Sequence, residues 1–334
     1  MKKLVVFAIA LSLLAQMTFA KKIKRFGNAA IQKGLVRIEA MSESGAVFLY
    51  VANKKKLYPA VETSDYGKSS YISLYADGRE FRLSKKEGCS CLFESDENSI
   101  TETFVVAGLA ELVAVYEIAK TNPEDELENC VKIKYTLKNV SGQNKSFVLK
   151  AVYNMVLGEN RNAHYSSALS SEISSEYVVL PSKEESWIIS SDSQNAVEVI
   201  VFGDGVTPPK RAVLANKDVI ERSTPDTPFN PGNSFDSLMS YNNSSLALYW
   251  NEVRLTQENQ ASYSYKINFS VSDFQNSGKL AAVSEPMQAK AEQTEDVSQA
   301  AKEEETKELV KEATDESRLT VSVESVDPSK LNAQ

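Results

Sequence analysis

The 334-residue chain contains one histidine, His164, and three cysteines, Cys89, Cys91 and Cys130. That leaves little material for histidine-based catalysis or metal chemistry, and the expectation is no catalytic residue, no metal site and no cofactor. The Cys89-x-Cys91 pair has no second close pair and no histidine nearby, which a zinc site requires. Glycine (13) and proline (10) are scarce, which excludes collagen-like and proline-rich classes. Basic residues are outnumbered 37 to 45, giving a formal charge of −8. Phosphate binding needs a basic patch, so nucleic acid is not an expected partner. No run beyond the first twenty residues is apolar enough to cross a bilayer, so no transmembrane anchor is expected in the mature chain.

The N-terminus carries its own message. Lys2 and Lys3 precede an apolar run, Leu4 to Leu14, and Thr18-Phe19-Ala20 places small residues at the −3 and −1 positions of a cleavage site. This is the pattern of a secretory signal peptide cut after Ala20, so the mature protein is expected in the periplasm or at the cell surface. In an oxidising compartment Cys130 can pair with Cys89 or Cys91, closing a loop of about 40 residues worth about 4 kcal/mol in the chain-entropy model. One thiol is left over in either case. Three buried, reduced cysteines are the alternative.

Aromatic residues recur as far as Phe274 and are absent from the last sixty residues. Residues 279–334 hold thirteen acids against seven bases and cannot build a core alone. The organisation expected is therefore a signal peptide (1–20), a β-sandwich region (21–274) and an acidic linker (275–318) that is partly helical or disordered. A strand-like C-terminal segment (319–334) follows. Leu319, Val321 and Val323 alternate there, and could add by β-augmentation to an exposed sheet edge.

The sandwich region reads as strands. Val131, Ile133, Tyr135 and Leu137 alternate with Lys132, Lys134, Thr136 and Lys138, the period of two of a half-buried strand. Phe147 to Val156 follows a polar loop and suggests the second arm of a hairpin. Ala261 to Phe269 alternates equally well, with Leu246 to Trp250 as its expected partner. Thr103 to Ile118 divides into two strands near Gly108, because its β-branched residues outweigh its alanines. Further strands are expected at Val36–Ala40, Ala46–Val51, Tyr71–Tyr75, Glu80–Leu83, Trp187–Ser190 and Ala196–Phe202. The fold class is thus all-β, an antiparallel sandwich, either one large or two smaller with a boundary near 158–175.

Asn160, Arg161, His164 and Tyr165 lie in a polar segment after a strand and are the ligand-loop candidates, with His164 itself expected at the surface. The carboxylates Asp65, Glu94, Glu159 and Asp204 sit near strand ends without forming a recognisable pair. Ser223–Asp236 holds three prolines and reads as an ordered connection between sheets, docked by Phe229. Trp187 and Trp250 both fall in apolar strand patterns and are expected in the core.

Tyr135-Thr-Leu-Lys-Asn-Val-Ser-Gly142 followed by Phe147–Gly158 resembles the strand–loop–strand of secreted bacterial β-sandwich domains, and Ser245-Leu-Ala-Leu-Tyr-Trp250 fits the same pattern. At the level of fold the chain resembles immunoglobulin-like and galactose-mutarotase-like sandwiches, over about half its length. Mutarotase-like enzymes use histidines with a glutamate. This sequence has His164 alone, and no catalytic residue carries over. The function expected is a non-enzymatic cell-envelope or surface protein, binding an envelope protein or a glycan through sheet edges and loops. The alternative is a carbohydrate-binding or carbohydrate-active sandwich, and exposure of Trp187, Trp250, Tyr263 and Tyr265 in a cleft is what would favour it.

Overall fold

The computed structural model describes residues 24–25, 27–159, 161, 163–235 and 243–271. The expected signal peptide (1–20), Asn160, the expected acidic linker (275–318) and the 319–334 segment lie outside these residues.

The chain opens with a short strand, β1 (Lys24–Arg25), and a four-stranded meander: β2 (Asn28–Lys33), β3 (Val36–Met41), β4 (Ala46–Asn53) and β5 (Lys56–Pro59). A hairpin of β6 (Tyr71–Ala76) and β7 (Arg79–Arg82) follows. Next come β8 (Ser90–Ser95), β9 (Ser99–Val106), β10 (Ala110–Ala119), β11 (Cys130–Asn139) and β12 (Lys145–Asn154). Two short strands, β13 (Ser166–Ser167) and β14 (Tyr177–Val179), lead to β15 (Trp187–Ser191), β16 (Ala196–Ile200) and β17 (Arg211–Asn216). A six-residue helix α1 (Lys217–Arg222) precedes β18 (Ser244–Tyr249), β19 (Val253–Leu255) and β20 (Gln260–Ser270). The fold is all-β and antiparallel. One sheet runs β1-β8-β9-β10-β11-β20-β16-β15-β13, and the second runs β14-β17-β18-β12-β6-β7 with β19 beside β12. Strands from either side of residues 158–175 are interleaved in both large sheets.

The division at Gly108 is as expected: β9 and β10 form a hairpin pairing Val106 with Ala110. The turn fits glycine, since Gly108 has φ of +68°. Two pairings differ from expectation. β11 and β12 are not a hairpin, because β11 pairs with β10 and β20 while β12 pairs with β6, β18 and β19 of the other sheet. Asn139, buried at the end of β11, makes the crossing. Its amide donates to the carbonyls of Gln143 and Leu255, and its oxygen accepts from the Ser141 backbone, turning the chain from one layer to the next. For the same reason β18 is not the partner of β20; it pairs with β12 and β17. The Ser223 segment begins after α1, between β17 and β18, which are neighbours in one sheet rather than members of two. Phe229 docks as expected, 5.2 Å from the Arg211 guanidinium, and packs against the buried cluster that includes Tyr71, Val213 and Tyr249.

Between the large sheets the inward residues form one continuous core. Its centre is aromatic: Trp250 lies 5.6 Å from both Tyr263 and Tyr265 and edge-on to Tyr135. Burying a phenol or indole without a partner costs free energy. Here Tyr135 and Tyr265 share a hydrogen bond of 2.9 Å, Tyr153 bonds Tyr265, and Trp250 Nε1 donates to the Thr207 carbonyl at 2.9 Å.

The expected disulfide does not form. Cys89, Cys91 and Cys130 are all free and buried. Cys91 sits on β8 and Cys130 on β11, with β9 and β10 between them. Three strand spacings amount to about 14 Å, twice the Cα separation a disulfide tolerates. Burial pushes the Cys89 and Cys130 thiols up to about 11.

Candidate functional site: a polar cleft beside Trp187

Strand alternation sends every second residue of β15 to the outer face of its sheet, so Trp187, Ile189 and Ser191 face the same way and line a cleft of about 660 Å³. Among the described residues, the two-residue β13 alone lies beyond β15 in the sheet. The segment after β12 closes over it. Gly158 makes this close approach feasible, since a Cβ there would fall 1.9 Å from the His164 carbonyl oxygen. Its N–H donates to Ser190 Oγ at 3.2 Å.

Of the expected ligand-loop residues, the structure brings Arg161, His164 and Tyr165 together in this cleft. Arg161 donates from Nη1 to Ser191 Oγ at 2.9 Å. His164 is not at the surface as expected: it is 5% exposed, because its ring lies 5.0 Å from Phe235 and over the buried Glu159. Glu159 Oε1 accepts from the Ser244 backbone N–H at 2.7 Å and from its hydroxyl, while His164 Nδ1 stands 3.9 Å away. Burial lowers the His164 pKa, and the Glu159 carboxylate raises it by less. The imidazole is therefore neutral at pH 7. Tyr165 is buried against Phe235, and desolvation pushes its phenol well up.

The remaining wall is hydroxyl-rich: Ser166, Ser167, Ser171 and Ser191 line the cleft, with Leu169 and Glu172 at the exposed rim. Ser167 is fixed by Glu185, which accepts from its hydroxyl at 2.8 Å and from Tyr177 at 3.0 Å. The other carboxylates singled out do not join the cleft. Asp65 caps the 65–69 turn, and Asp204 is exposed in a turn.

The aromatic residues divide. Trp250, Tyr263 and Tyr265 are core, as the strand pattern implies. Trp187 is half-buried and lines the cleft, a correction to the core expectation. Trp187, Ser191 and the structural part played by Glu159 were not legible as site residues. The one signal was position: Trp187 heads a strand that lies one from the end of its sheet. A half-buried indole beside a neutral imidazole, a guanidinium and four hydroxyls can stack on an apolar face while exchanging hydrogen bonds with hydroxyl groups.

No family model matches the chain. No curated protein matches it. Solved structures do. A galactose mutarotase related enzyme from Lactobacillus acidophilus aligns with a TM-score of 0.43 and 7% identity over 74% of this chain and 99% of its own. A galactose mutarotase-like protein from Lactobacillus casei gives 0.45 and 7% over 73% and 100%. A polysaccharide lyase gives 0.41 and 10% over 72% of this chain and 33% of its own. The structural neighbours are thus galactose mutarotase-like β-sandwich proteins. The names of these neighbours are those of carbohydrate-related proteins, against the expectation of a non-enzymatic envelope component working through sheet edges.

Proposed function

We propose that the protein is an exported carbohydrate-binding sandwich that takes a saccharide in the Trp187 cleft. The observation that carries the reading is the half-buried indole of Trp187 set in a hydroxyl-lined cleft of about 660 Å³. Binding sites for small ligands have this range of volume, with an apolar platform and a few placed polar groups. A pyranose ring has an apolar C–H face for the indole and equatorial hydroxyls for Ser166, Ser191 and Arg161. His164 is held by packing on Phe235 beside Glu159, which is itself locked by Ser244. The neutral imidazole then serves as a hydrogen-bonding group rather than a charge.

The test is calorimetric titration of the full chain with a panel of mono- and oligosaccharides, repeated with Trp187→Ala. Saturable binding by the native chain, lost in the variant, is the result expected. Absence of binding across the panel, or binding that survives loss of the indole, sinks the reading.

A further inference from the structure

A second groove, of about 490 Å³, shares no lining residue with the Trp187 cleft. Tyr66 stands at its edge, 76% exposed, with φ of +57°. A bulky residue in the left-handed region is uncommon and persists where its surroundings over-determine the backbone. They do so here. Asp65 Oδ1 accepts from the N–H groups of Gly67 and Lys68, and Oδ2 from that of Ser69. Gly67 lies so close to β4 that a Cβ would fall 2.4 Å from the Ala46 Cβ. Arg82, laid over the Tyr71 ring at 3.9 Å, donates to the carbonyls of Gly67 and Lys68. The turn is held from three sides, and what it presents to water is a phenol ring.

The charges around that ring are uneven. Lys68, Arg82, Lys85 and Lys86 line the groove against Glu43, Glu87 and Glu221. Glu43 is taken by Lys85 at 3.3 Å, and Glu221 faces Arg82 at 3.9 Å. Lys68 and Lys86 have no ion pair among the described residues, and neither has Glu87, so the unpaired charges of the groove are two positive and one negative. A rigid aromatic face beside two uncommitted ammonium groups matches a ligand with an apolar ring face and regularly spaced carboxylates. We propose that this groove binds an acidic polysaccharide, a chain of uronic acid residues, with a sugar on Tyr66 and carboxylates on Lys68 and Lys86. This site is independent of the Trp187 cleft.

The experiment titrates the full chain with an oligogalacturonate and with a neutral maltooligosaccharide of equal length, at low salt and at about 0.15 M salt. The native chain should prefer the acidic oligomer, and salt should weaken that binding. Tyr66→Ala should weaken it about threefold to tenfold. The double variant Lys68→Glu with Lys86→Glu should abolish the preference, and Trp187→Ala should leave binding of the acidic oligomer intact. Thermal midpoints of the Tyr66 and lysine variants should stay at or above the native value, since these side chains are outside the core. Equal binding of both oligomers by Trp187→Ala, whose other cleft is disabled, or acidic binding indifferent to Tyr66→Ala, overturns the proposal. Loss in Trp187→Ala alone also overturns it, by moving the ligand to the other cleft, and in that case the proposed function stands. Tighter binding of single-stranded DNA than of the oligogalacturonate overturns the ligand class.

Discussion

Trp187 and Trp250 look alike in sequence, each in an apolar stretch with strand character, and the molecule uses them in opposite ways. Trp250 follows β18, a strand in the middle of its sheet, and is 1% exposed with its indole N–H bonded to Thr207. Trp187 opens β15, one strand from the end of its sheet, and forms a cleft wall. A side chain at the centre of a sandwich is covered by the opposite layer. Near an edge, on the outer face, the cover is whatever loop the chain can spare. Trp250→Ala should therefore cost about 3–5 kcal/mol, the range for deleting a large buried aromatic, and should orphan the Thr207 carbonyl as well. Urea denaturation measures it. A cost below about 1 kcal/mol would break the contrast at its stronger end.

The same core holds a carboxyl group that does not suit it. Glu102 is fully buried on β9, and neither carboxylate oxygen has a hydrogen-bond partner. Desolvation raises its pKa to about 8 from 4.5. The sign follows from proton counting: between those values the unfolded chain releases the proton that the folded chain retains. Stability therefore falls as pH rises from 4.5 to 8. At pH 7 the loss is about 3 kcal/mol, taking 1.36 kcal/mol per pKa unit. Glu102→Leu should remove most of this decline and raise the denaturation midpoint by a matching amount. The check is a set of urea titrations from pH 5 to 8. Parallel slopes for the two proteins would show that Glu102 is not the source of the pH dependence.

Alternation made the half-buried strands legible. β11 and β20 show polar outer faces and apolar inner ones, and both lie within a residue or two of their expected bounds. β8 and β17 went unmarked. β17 is short and begins just after Pro208 and Pro209, while the run of β8 is only six residues and opens on Ser90. Pairing was less legible than existence, because alternation identifies a buried face without naming the sheet opposite it. That is why the step from β11 to β12 looked like a hairpin. Half of the cleft was legible, since Arg161, His164 and Tyr165 are close in sequence. Its platform was not: Trp187 reaches them only through the pairing of β13 with β15.

Gly158→Ala probes the cleft side of the contrast through its scaffold. The added methyl would meet the His164 carbonyl oxygen at 1.9 Å, so the 158–164 segment must move outward. Overpacking of this kind costs about 1–3 kcal/mol. Both the thermal midpoint and saccharide affinity should fall, because the displaced segment carries Arg161 and His164. A midpoint shift with unchanged affinity would detach the loop from the binding site and leave Trp187 working without it.

The smallest stability effect should come from Trp187→Ala, about 1 kcal/mol, because the indole is only half-buried, packed on Ile189 and Ala196 and on the margin of the main core. Its effect on saccharide affinity should be far larger, and Trp187→Phe should restore part of it by keeping a stacking face. Fluorescence separates the two tryptophans without mutation. Iodide should quench Trp187 and spare Trp250, and bound saccharide should protect the quenchable fraction. If saccharide changes the emission of Trp187→Ala, whose remaining indole is the sealed Trp250, the ligand acts on the core. The division between a structural and a binding tryptophan would then fail.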